Sequence, residues 1–107
     1  MANSPSHPLL GLWLVQTPDE AADGAFLPLC GRSDGDVLVL AFRDLPRART
    51  CASKLGVDGA RFQLVCDANL DGFERQLREL GVVAVAVDWA PGQAQLGDTR
   101  PLAFAAA

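Results

Sequence analysis

The chain has 107 residues, half of them hydrophobic, with a net charge of −4. That is enough apolar material for one domain with a real core, and too little unbalanced charge for disorder in the middle of the chain. The acidic balance, the absence of Tyr and the lack of aromatics interleaved with Lys or Arg argue against a nucleic-acid-binding face.

Residues 1–8 are rich in Pro and Ser and read as a loose lead. No Lys or Arg precedes the first apolar segment, so a signal peptide is not expected. Residues 9–16 (LLGLWLVQ) read as a first strand, followed by a polar loop. Residues 25–30 (AFLPLC) form a short second strand in which Pro28 suggests an edge or a bulge. Asp34-Gly35 then marks a tight hairpin turn into a third strand, residues 37–42 (VLVLAF). That strand is apolar at both parities, the pattern of burial on two faces.

Asp44 stands at a helix N-cap and Pro46 in the first turn, where a missing N–H costs little. Leu45, Ala48, Ala52 and Leu55 form one apolar stripe, and Gly56 ends the helix. Residues 61–66 are a fourth strand. Asn69 is the expected cap of a second helix with the stripe Leu70, Phe73, Leu77 and Leu80, stopped by Gly81. Residues 82–87 (VVAVAV) are a fifth strand. The longest apolar runs are far shorter than the roughly 20 residues of a membrane helix, so no membrane span is expected.

The expected fold is therefore α+β: a single five-stranded mixed sheet in the order β-β-β-α-β-α-β, with two helices packed on it. The domain covers residues 9–92, and an apolar tail, 93–107, offers a possible extra C-terminal strand. The last three strands, joined by helices, are parallel. If they lie in sequential order, both helices cover one face and the other must be covered by the tail or another chain. If the order reverses, both faces are covered.

In such sheets ligands bind beyond the carboxyl ends of the strands. Arg43, Asp67, Asp88 and Trp89 occupy those ends and form a candidate binding rim. Caps and turns account for the aspartates, and Trp89 is the better anchor for a partner. Arg47, Arg49 and Lys54 give the first helix a basic outer face. They also flank Cys51 and raise the question of a reactive thiolate, against the commoner role of small core filler. Cys30 and Cys66 are expected in or near the core.

No catalytic or metal site is signalled. The only His, His7, lies in the lead, the cysteines lack paired spacing, and no phosphate-cradling glycine motif is present, so no cofactor is expected. Three cysteines without a CxxC pair fit a reducing cytoplasm. In the tail, Pro101, Leu102 and Phe104 are candidates for strand addition to a partner or a second copy.

The hairpin AFLPLC/VLVLAF, the helix RDLPRARTCASKLG and the run NLDGFERQLRELGVVAVAVDWAPG together resemble the N-terminal domain of the SseB-type (enhanced serine sensitivity) family and related small bacterial domains. The resemblance spans residues 10–92 and implies a non-enzymatic α+β module working through protein–protein contacts. Three readings follow: an interaction or assembly module binding a protein partner or its own copy, a small-molecule binder or enzyme using the rim, and a secretion-associated adaptor or immunity protein.

Overall fold

The structure, a computed structural model, describes residues 7–19, 24–94 and 97–102. It is an α+β fold whose strands are β1 (Trp13–Pro18), β2 (Phe26–Pro28), β3 (Cys30–Ser33), β4 (Asp36–Phe42), β5 (Arg61–Leu64), β6 (Val82–Val87) and β7 (Asp98–Pro101). The helices are α1 (Leu45–Lys54), between β4 and β5, and α2 (Asp67–Glu79), between β5 and β6. The class is as expected, but the sheet has seven strands instead of five.

Two features raise the count. The first is a split at Leu29. β1 and β4 pair at Trp13↔Phe42 and Leu14↔Ala41 and then diverge. β2 rises along β1, and β3 returns along β4. Leu29 sits at the apex, its N–H donating to Val15 O at 2.7 Å and its carbonyl accepting from Leu40 N at 3.0 Å. Pro28, which has no N–H to give the ladder, ends β2 just before this bend. The second feature is β7, which pairs antiparallel with β6. Asp34 and Gly35 both take positive φ, as a two-residue turn of type I′ requires.

Across the sheet the order is β5-β1-β4-β6-β7, with the β2–β3 wedge between β1 and β4. β4 and β6 are parallel neighbours. β5 runs the same way but lies at the far edge, against antiparallel β1. The chain thus steps one way from β4 to β5 and back again from β5 to β6. With two crossovers of the same hand, that reversal sends the helices to opposite faces.

The core confirms it. On one face, Phe73 and Leu77 of α2 pack with Leu14, Val39, Ala41, Val85 and Val87. On the other, Ala48, Cys51 and Ala52 of α1 pack with Val15, Leu40, Phe42 and Ala86. The reversed order removes the case for a sheet face left without a helix.

Local boundaries shift for physical reasons. Residues 7–12 form turns before β1, with Leu9 and Leu12 buried against the α2 face. The α1 stripe is rotated: Cys51 is core, whereas Leu55, the C-cap, is 42% exposed. Asp44 caps α1 as expected, accepting from Arg47 N at 2.9 Å. Asn69 does not cap α2. The cap is Cys66, and Asn69 at the third helical position accepts the Cys66 N–H at 2.9 Å. The Asn69 Nδ2 also donates to Leu64 O, occupying part of the strand edge that β5 would otherwise present.

Candidate functional site

Three of the four rim residues come together. β6 ends at Val87, and Asp88 takes a left-handed backbone (φ 59), a conformation Asp tolerates better than most residues. Its N–H still donates to Ala41 O at 2.8 Å, so the strand geometry carries one residue past the formal end. The bend aims the carboxylate at the exit of β4. Oδ1 accepts from Arg43 N at 2.9 Å, and Oδ2 from Arg43 Nη1 at 2.8 Å and Arg47 Nη1 at 3.3 Å.

Asp98, at the start of β7, completes the lattice. It accepts from Arg43 Nη2 at 2.6 Å and Arg100 Nη2 at 3.4 Å. Arg47 also meets Asp44 at 3.2 Å. The hydrogen bond to Asp88, before any other influence, holds the Arg43 guanidinium above its usual range. This network ties the turns after β4 and β6 to β7. Both Asp88 oxygens accept hydrogen bonds, which suits a positioning role.

Asp67 is elsewhere. It is the first residue of α2, where a carboxylate suits the positive end of the helix. Because β5 is the far edge strand, three strand spacings, roughly 14 Å, separate its end from that of β6. Pro101 is the last residue of β7, and Leu102 is buried in the α2-face core, its N–H donating to Val83 O at 2.9 Å. These two residues serve the chain's own sheet. Phe104 lies outside the described residues.

Trp89 borders two shallow clefts on the α1 face. One, of about 260 Å3, lies toward the end of β4, between Pro46, Arg47 and Thr50 of α1 and the segment Asp88–Pro91. The other, of about 420 Å3, has Leu29, Leu38 and Leu40 in its lining, with Leu55 and Arg32. Together they form a groove along the open flank of α1, about 13 Å long from Leu38 to Phe42 at the usual strand rise. The indole Nε1 donates to Gln93 O at 3.3 Å, which fixes the ring between the clefts.

Cys51 lines the first cleft but is otherwise buried, and burial pushes its thiol up. The neighbouring cations do not make it a thiolate; it is core filler. Cys30, half-buried, is pushed up to about 11 by the same desolvation. Cys66, expected in or near the core, is exposed. Among the described residues no group of three or more His, Cys, Asp or Glu is placed to hold a metal ion. No helix among them is long and apolar enough to cross a membrane.

Sequence reasoning missed Asp98, Arg100 and Arg47 as members of the ionic lattice, and Leu29, Leu38 and Leu55 as groove walls. Only the partnership of β7 with β6 brings Asp98 to Arg43, and no spacing in the chain announces it. The arrangement defines an α+β protein with an ionic rim and an apolar groove beside its first helix. The chain matches no family model, no curated protein and no solved structure.

Proposed function

We propose that this protein is a non-enzymatic protein–protein interaction module, comparable in role to the SseB-type domains its sequence resembles. One observation carries the reading: the groove along α1, with Trp89 set between its two clefts and Leu55 beside it at 42% exposure. A large aromatic ring held by its N–H at the centre of an open apolar groove is the usual anchor of a protein interface. The rim supports the same view from the other side. Its charged groups engage one another, with Asp88 and Asp98 bonded to Arg43, an arrangement suited to holding the turns in place.

The test is reconstitution. Partners cross-linked to the full chain are identified, purified and titrated back against the wild type and Trp89→Ala. A stoichiometric complex that Trp89→Ala weakens by at least tenfold supports the reading. A complex indifferent to Trp89, or a small molecule that binds the rim and shifts Asp88 and Arg43 resonances, overturns it.

A further inference from the structure

The two outer strands of the sheet end it in different ways. On β7, Leu102 N–H donates to Val83 O at 2.9 Å, so the ladder turns the Asp98 and Arg100 amides to β6 and the Thr99 and Pro101 nitrogens outward. Pro101 has no N–H, which leaves that edge one outward donor, flanked by the charges of Asp98 and Arg100.

β5 is left open. Val65 N–H donates to Leu12 O at 2.9 Å, so Arg61 and Gln63 bond to β1, and the amides and carbonyls of Phe62 and Leu64 point away from the sheet. Among the described residues only one of these groups has a partner, Leu64 O, which accepts from Asn69 Nδ2. The strand has no Pro, and its one charge is Arg61. That guanidinium lies 4.1 Å from the centroid of the Phe26 ring, drawn back across β1 and off the free edge.

The surfaces beside this edge name its occupant. Phe62 and Leu64 stand on the α1 side, Leu64 at 40% exposure, next to a shallow cleft whose charged lining residues are Arg49 and Asp58, one of each sign. Gln63 stands on the α2 side, where the adjoining cleft is lined by the amides of Gln63, Asn69 and Gln76 and by no charged residue. A two-fold axis normal to the sheet sets each side against its own copy, apolar to apolar and amide to amide, with no net charge opposed. Antiparallel pairing about Phe62 places Arg61 opposite Gln63 of the second copy, so no like charges meet across the strands. It bonds Phe62 to Phe62 in both directions and needs nothing from the carbonyl that Asn69 already fills.

We infer that β5 is the edge through which two copies of this chain join, antiparallel, into one continuous sheet. The contact lies on the opposite flank of α1 from the Trp89 groove, goes beyond the reading of that groove and does not depend on it.

Sedimentation of the full chain from micromolar to millimolar concentration tests it, with amide hydrogen exchange followed by NMR. The expected result is a reversible dimer. As concentration rises, exchange at Phe62 and Leu64 slows at least tenfold, while Gln63, bonded to β1 in both states, changes far less. Leu64→Pro deletes an outward amide and no bond to β1, and weakens the dimer at least tenfold. Leu64→Lys keeps the amide, puts a charge on the apolar seam and does the same, at an exposed position where retained thermal melting in dilute solution shows the variant folded.

A chain that stays monomeric across the range overturns the inference. So does a dimer in which Phe62 and Leu64 exchange as fast as in dilute solution, or one that Leu64→Lys leaves intact, since either puts the contact elsewhere. Protection of these amides only when a foreign extended peptide is added overturns the second copy as the occupant of this edge.

Discussion

The α2 face of the sheet is sealed by a helix of 13 residues, by Leu9 and Leu12 from the lead, and by Leu102 after β7. Two polar clamps hold these segments down: His7 against Glu74, and Arg100 Nη1 donating to Pro8 O at 3.3 Å. The α1 face is finished differently. Its helix has 10 residues, lies over β1, β4 and β5, and leaves the β4 side open to the groove with Trp89. The closed face spends its apolar surface inside the molecule. The open face keeps part of its apolar surface accessible, and that is the part available for recognition. On the interaction reading proposed above, stability and binding fall on opposite sides of one sheet.

The largest effect should come from the closed face. Leu77→Ala, at a site with no exposure, is expected to cost about 2–5 kcal/mol in urea denaturation, through lost burial and the cavity left behind. If Leu55→Ala on the open face cost as much, the comparison would break. Its expected cost is smaller, about 1 kcal/mol, because at 42% exposure it has less burial to lose than a core leucine and leaves no enclosed cavity.

The rim comes next. Asp88→Ala removes the acceptor of the Arg43 N–H and of two guanidinium contacts, and should destabilise by about 1–2 kcal/mol. Asp88→Asn retains an acceptor and a left-handed-tolerant backbone, so its loss should be smaller and less sensitive to salt. Equal stability of Asp88→Ala and wild type would return the rim to the list of functional candidates.

His7→Ala should cost about 1 kcal/mol and speed hydrogen exchange at Leu9, whose N–H donates to His7 Nδ1 at 3.2 Å. No change at Leu9 would mean the lead is held by burial alone.

The smallest effect separates the thiols. With an aromatic disulfide reagent at pH 8, Cys66 should react at once, and Cys30 and Cys51 only as the protein unfolds. Cys30 adds a pH signature. Unfolded, its thiol ionises from its ordinary value of 9.0; folded, it keeps its proton to about 11. Above pH 9 unfolding releases that proton, so its contribution is intact below 9 and stability falls as pH rises toward 11. Cys30→Ser should flatten that fall.

Much of the local structure was legible because its signals are local. Asp44 accepts from the first turn of α1 wherever the helix goes, Asp34-Gly35 dictates its own hairpin turn, and a run such as VLVLAF demands burial on two faces. Other errors came from competition between neighbours. Asn69 is a good cap by type, but Cys66 starts the helix and Asn69 serves it better one turn in, with Oδ1 on Cys66 N and Nδ2 on Leu64 O. Leu55 fits the apolar stripe by spacing, yet as C-cap it falls off the buried face.

By itself, then, the sequence determined the α+β class, the two helices with most of their ends, the hairpin at Asp34-Gly35 and the two-sided burial of β4. These depend on groups a few residues apart, whose energies are set before the chain folds up. Only the tertiary structure decided that β5 goes to the far edge, that the helices part to opposite faces, and that Asp98 meets Arg43 while Asp67 does not. Those outcomes depend on which strand wins which neighbour, a competition among near-equal apolar strands that no local pattern settles.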